Sequence, residues 1–282
     1  MQDVPQIFDQ KLRRRRKARM ANHFSSSAFL HETVALELAE RIATINRSFQ
    51  TFVCHGASSL SQDVATASIS TDTLSYPVKL PAIVFDEGEL PFADAVLNAF
   101  TSVLTLHAIN DVPGALAQIR RALAPDGLFI GAMLGGNTLH ELRDCLAAAE
   151  IEVDGGVSPR VFPFVDVKDA GGLLQRAGFA LPVADSDTLT VHYADPFRLL
   201  RDLRNMGETN ILNERRRSPL KKSILLRALM LYRDRFAAAN GSVPATFEII
   251  YLSGWAPHES QQKPLKPGSA RMSLSDALKG PR

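Results

Sequence analysis

Residues 82–133 constrain the fold more than any other stretch. Two apolar strands flank an amphipathic helix there, and a strand–helix–strand unit implies a parallel sheet with a crossover. The run Ala99-Phe100-Thr101-Ser102-Val103-Leu104-Thr105-Leu106 has the length and the β-branched, large apolar mix of a strand. His107 to Asp111 is a polar exit from it. Asn110 or Asp111 can cap a helix from Pro113 to Leu123 that spaces Leu116, Ile119 and Leu123 along one face. Pro125-Asp126-Gly127 ends that helix, and Leu128 to Met133 is apolar throughout, as in a strand buried on both faces. Open α/β sheets bind ligands beyond the carboxyl ends of their strands. Three such ends carry polar groups here: Asp86 and Glu87 after Ile83-Val84-Phe85, then His107 with Asn110 and Asp111, then Gly135 to Thr138.

The stretches Phe85–Phe92, Leu104–Asp111 and Leu123–Met133 resemble the later motifs of class I S-adenosylmethionine-dependent methyltransferases. Gly131–Arg143, Met206-Gly207-Glu208-Thr209-Asn210, Gly241–Phe247 and Gly254-Trp255 narrow the likeness. They are similar to the mitochondrial complex I assembly factor of methyltransferase fold and its bacterial relatives, a group itself similar to malonyl-carrier-protein methyltransferases. The resemblance runs from Ile7 to Ala270. It implies an α/β fold: a doubly wound, mostly parallel, seven-stranded sheet, Rossmann-like, with a helical cap.

At 282 residues, 45% apolar and 22% charged, the chain suits one substantial globular α/β domain. No apolar run approaches the roughly 20 residues needed to cross a bilayer. Cys54 and Cys145 are the only cysteines, with no metal-ligand spacing, so two reduced, buried thiols are expected. Net charge is +2, but residues 1–20 carry seven basic and two acidic side chains, a local +5 that leaves −3 for the rest. The Lys11–Arg19 run could grip an anionic lipid surface, an acidic protein or nucleic acid. A solvated helix is the plainer reading, and no aromatics interleave with the charges to stack bases, which argues against nucleic acid. An arginine-rich start also mimics a transit peptide. Because the family likeness begins already at Ile7, a cytoplasmic bacterial protein is expected. Residues 1–27 then form a basic N-terminal segment and residues 28–255 the methyltransferase-like domain, with cap helices around 134–165 and 195–240. Residues 256–282 are expected to be an irregular tail rich in Pro, Gln, Lys, Gly and Ser.

Residues 28–46 read as an amphipathic helix in front of a first strand, Gln50 to Cys54. The turn after that strand departs from the family. There the resemblance implies an acidic residue and three alternate glycines, through which backbone approaches the cofactor. Here Cys54 replaces the acid, Gly56 keeps the first glycine, and Ser58 and Leu60 replace the others. A branched Leu resists positive φ and fills the space a glycine leaves. The carboxylate expected for the ribose hydroxyls falls to Asp72. The contact to the adenine amino group falls to Asp86 beside Glu87. The resemblance therefore assigns Gly56, Asp72, Asp86 and Glu87 to S-adenosylmethionine, with solvated loop acids as the plainer reading of the three carboxylates. Asn98 stands where an acid usually opens the fourth strand, and Ala108 stands where an aromatic usually follows the histidine, removing a stacking wall. His107 is the candidate catalytic group; equally, it could be a histidine bonded to backbone beneath the pocket.

Downstream, Thr138 is expected to cap a helix to Glu150. The loop from Gly155 to Phe164 would carry Arg160 above the cofactor edge, where it could bind an acidic substrate. Asp185–Tyr193 and Phe247–Trp255 read as antiparallel partners, and Arg215–Arg217 with Lys221 and Lys222 as a solvated basic loop. Three functions follow: a protein acting on a protein partner, such as a respiratory complex I subunit; a non-catalytic scaffold; or a methyltransferase for a small or carrier-bound acid. The arginine hydroxylation implied by the likeness finds no His-x-Asp or His-x-Glu pair to hold iron. The basic N-terminus leaves peripheral membrane contact open.

Overall fold

Alternation along the strands builds two cores. Phe52 and Cys54 point to one face of the sheet and Val53 to the other; Leu128, Ile130 and Ala132 face one way, Phe129 and Met133 the opposite way. A sheet apolar on both faces needs helices on both, and the chain supplies them. The computed structural model describes residues 4–56, 65–72, 82–85 and 88–262, excluding the side chains of 65–68, 70, 72 and 82. Of the expected tail, residues 263–282 lie outside the described residues, while Ala256 is buried and donates to the Gly127 carbonyl.

The elements in chain order are α1 (Gln10–Met20), α2 (Phe29–Ala43), β1 (Phe49–His55), β2 (Ala65–Asp72), β3 (Ala82–Val84), β4 (Leu97–Val103), α3 (Val112–Ala122) and β5 (Leu123–Leu134). Then come α4 (His140–Asp154), α5 (Val167–Arg176), β6 (Ala180–Tyr193), α6 (Pro196–Asn205), α7 (Lys222–Phe236) and β7 (Val243–Trp255). They form one seven-stranded sheet in the order β3-β2-β1-β4-β5-β7-β6. The first five strands are parallel, and β7 lies antiparallel to both β5 and β6. This is the doubly wound α/β sheet implied by the resemblance. Helices α2, α4, α6 and α7 pack on one face, and α3 and α5 on the other.

Capping fixes where helices begin. Asp111, not Asn110, caps α3, its Oδ1 accepting from the Gly114 N–H at 2.8 Å. Thr138 does not cap α4. Its hydroxyl is buried and bonded to the Glu248 backbone, and Leu139 occupies the cap position at φ +53°. Strand β7 therefore competes successfully for that hydroxyl. Asn98, where the family's acid is missing, holds β1 to β4 by accepting from the Thr51 N–H at 3.0 Å.

The N-terminal segment is bound into the fold. Phe8 bridges to Leu212, the Asp9 N–H donates to the Ile211 carbonyl at 2.8 Å, and Arg13 and Lys17 are buried. The second basic cluster is not merely solvated. Arg215 pairs with Asp9, while Arg216 and Lys221 both pair with Asp154 at 2.6 Å.

Candidate functional site

The carboxyl end of the sheet divides into two parts. At the β1–β2–β3 end, Gly56 has φ +90° and its N–H donates to the Thr71 carbonyl. A Cβ on it would stand 2.4 Å from the Val103 carbonyl oxygen and 2.7 Å from the Thr105 methyl. Glycine is thus required for a tight turn against β4. Beside it, the His55 ring stacks on Phe85 at 4.7 Å, and its Nδ1 lies 2.9 Å from the Thr71 hydroxyl. Cys54 is fully buried. Asp72 ends β2 with its side chain outside the described residues, as are Asp86 and Glu87 entirely.

At the β4–β5 end, His107 sits in a 3-10 turn, Leu106–Ala108, immediately after the Thr105 that Gly56 touches. The two reach the same rim, but the imidazole turns away toward the cap. Its side chain is 1% exposed, and Nε2 lies 3.2 Å from Oε2 of Glu208, itself 12% exposed. Nδ1 is buried with no partner among the described residues, and the ring lies 5.9 Å from that of Phe164.

Glu208 organises this region. Burial pushes its carboxyl up, but the charges of His107, Lys17 and Arg13 and the bond to His107 outweigh that and hold it down to about 2. The turn that presents it needs Gly207 at φ +83°, since a Cβ there would meet Lys17 Cγ at 2.9 Å. Arg13 also donates to the Thr105 carbonyl. Two cationic residues of α1 and the imidazole of the β4 turn thereby act on one carboxylate.

In the polar exit from β4, Asn110 holds the N-terminal segment, residues 4–20, as a strap across the fold. Asn110 Oδ1 accepts from the Phe8 N–H at 2.7 Å, and its Nδ2 donates to the Phe8 carbonyl and to Gln6 Oε1. Ala108 is buried in a cluster with Phe8, Phe162, Ile211 and Leu212, so the methyl that replaces the family's aromatic makes room for Phe8 and Phe162. Arg160 is bonded to Glu150, which also accepts from the Ser158 N–H and hydroxyl. That salt bridge uses the charge expected to face an acidic substrate. Sequence alone gives Glu208 no role, although it lies inside the Met206–Asn210 motif that carries the likeness, and it reads Arg13 and Lys17 only as part of the basic Lys11–Arg19 run.

A cavity of about 430 Å³ is walled by leucines of α4 and α6 with Phe164 and Phe247. Glu208 and Arg160 reach its edge.

A methyltransferase domain family matches residues 44–131. The mitochondrial arginine-hydroxylase NDUFAF5 of Danio rerio is 39% identical over 97% of this chain and 90% of its own length. The malonyl-[acyl-carrier protein] O-methyltransferase of Halorhodospira halophila is 35% identical over 66% of this chain and 61% of its own. Among solved structures, the YcgJ protein of Bacillus subtilis superposes with a TM-score of 0.53 at 14% identity, covering 78% of this chain and 98% of that one, which supports the fold alone. The expectation of a cytoplasmic bacterial protein is corrected here. The relatives matched over nearly the whole chain bear mitochondrial names, so the likeness beginning at Ile7 does not place the chain in a bacterial cytoplasm. With identity at this level along almost its full length, the chain belongs to the NDUFAF5 arginine-hydroxylase family, on the fold of S-adenosylmethionine-dependent methyltransferases.

Proposed function

We propose that this protein binds a protein partner in respiratory complex I assembly and that its cofactor edge no longer holds S-adenosylmethionine. The observation that carries this reading is the β1 turn. Its one retained glycine, Gly56, is used for packing against Val103 and Thr105. The positions where family glycines let backbone approach a ligand are Ser58 and Leu60. Cys54, buried in the core, offers no carboxylate. The groups on the described part of this edge therefore do not fit the cofactor, and no methyl-transfer step is derived through it. His107 acts in this reading as a positioning residue, holding Glu208 and through it Arg13 and Lys17. The protein partner is carried over from the family, whose members are named for acting on arginine.

Isothermal titration with S-adenosylmethionine tests the cofactor half. No saturable heat is expected from the folded wild-type chain, and micromolar binding overturns the reading in favour of an active methyltransferase. Ser58→Gly with Leu60→Gly regains binding if the loop alone is at fault. Capture of a complex I subunit by the tagged full chain tests the partner half, and failure to retain any subunit overturns it.

A further inference from the structure

A second recess adjoins the leucine-walled cavity. It measures about 470 Å³ and is lined by Arg16, Arg19 and Met20 of α1 with Arg204, Thr209 and Asn210. Arg204, Thr209 and Asn210 line the cavity as well, so the two spaces share a wall of three residues. One compartment is mostly apolar, with Leu139, Leu142, Leu146, Leu200, Leu203 and Leu225 in its wall and Glu208 and Arg160 at its edge. Its neighbour is cationic.

The three guanidiniums carry no direct carboxylate partner among the described residues; Arg16 instead donates to the Thr209 hydroxyl at 3.0 Å and the Asn210 carbonyl at 2.6 Å. Burial, and then the like charges of Arg215, Arg19 and Arg204, push its pKa down, with Asp9 opposing. Collecting cations at one rim is unfavourable unless an anion spends time there. An apolar cavity beside it gains from covering by hydrocarbon, and 430 Å³ falls within the roughly 300–1,000 Å³ of small-ligand pockets.

We propose that the cavity and the recess form one site for a single-chain amphiphile, with its acyl tail among the leucines and a carboxylate or phosphate head at Arg16, Arg19 and Arg204. A cationic ligand is repelled at this rim, which separates the site from any that would take an arginine side chain. The proposal does not depend on the state of the cofactor edge.

Titration calorimetry of the full chain tests it, using laurate and dodecyl phosphate below their micellar concentrations. Dodecyltrimethylammonium and inorganic phosphate serve as controls for charge and tail. Saturable one-site binding of at least one anionic amphiphile is expected; laurate alone identifies a carboxylate head, and dodecyl phosphate alone a phosphate head. Arg19→Glu with Arg204→Glu, both at exposed positions, weakens binding by about tenfold or more. Leu225→Trp, at a half-buried wall position, does the same by filling the tail space. If Leu225→Trp fails to fold, the arginine pair alone decides. The proposal is overturned by absence of saturable binding to both amphiphiles, by equal binding of the cation or of inorganic phosphate, or by folded charge-reversed chains that bind as wild type. None of these outcomes bears on S-adenosylmethionine or on partner capture.

Discussion

The two ends of the strand rim spend their polar groups differently. At β1 and β2 the side chains satisfy one another: His55 meets Thr71 and Phe85, and Gly56 meets β4. At β4 and under the cap, charge from α1, the β4 turn and the Gly207–Glu208 turn is concentrated in the interior around one carboxylate. Among the described residues, the first end has the character of a packed core and the second that of a buried electrostatic site. Sheet register and helix layers depend on apolar alternation and not on the loop glycines, so the architecture alone does not fix the chemistry at its rim.

That contrast can be broken by mutation. Glu208→Ala leaves His107, Lys17 and Arg13 facing one another without their acid. A loss of about 3–5 kcal/mol is expected in urea unfolding at pH 7. His55→Gln, at the packed end, keeps most of the buried volume but loses the stack on Phe85, and is expected to cost only about 1–2 kcal/mol. Equal losses would erase the distinction.

Acid sharpens it. The Glu208 carboxyl titrates near 2 in the folded chain against an ordinary 4.5, so its stabilisation is complete above pH 4.5 and disappears as pH falls toward 2. The shift corresponds to about 3 kcal/mol. Glu208→Gln should flatten the stability profile across that window, and an unchanged profile would remove the acid from the centre of the cluster.

The smallest expected effect concerns the strap. Asn110→Ala deletes three hydrogen bonds to Gln6 and Phe8 and should cost about 1–2 kcal/mol locally. Limited trypsin digestion reads it directly, through faster cleavage within Lys11–Arg19.

Much of the architecture was legible. Phe100, Val103, Phe129 and Met133 alternate or run apolar as buried strands must, and β4 and α3 lie within a few residues of their expected bounds. Strand β5, however, starts five residues early, at Leu123, and carries Pro125-Asp126-Gly127 within the strand instead of in a turn before it. Strand β6 was read five residues short because Ala180 to Ala184 is partly exposed and lacks a clear apolar period. Thr138 was a reasonable cap by local chemistry and lost to a tertiary partner more than a hundred residues away. The site was harder to read for the same reason. His107 announces itself at a strand end, but its partner lies 101 positions downstream, and no local pattern makes an isolated glutamate the acid that a buried arginine and lysine face. Asn110 looked like a rim ligand because its short amide suits a ligand and a strap equally well.

The strap also sets an order of events during synthesis. Phe8 is seated by Leu212, and Asn213 closes the same contact by donating to the Ile7 carbonyl at 2.8 Å. Until residue 213 has left the ribosome, the arginine run has no groove to enter. At about 5–20 residues per second that interval lasts on the order of 10–40 s. Seating Phe8 and Ile7 then buries Arg13 and Lys17, while Lys11, Arg14, Arg15 and Arg19 stay exposed, so the folded chain keeps part of this cationic surface on display.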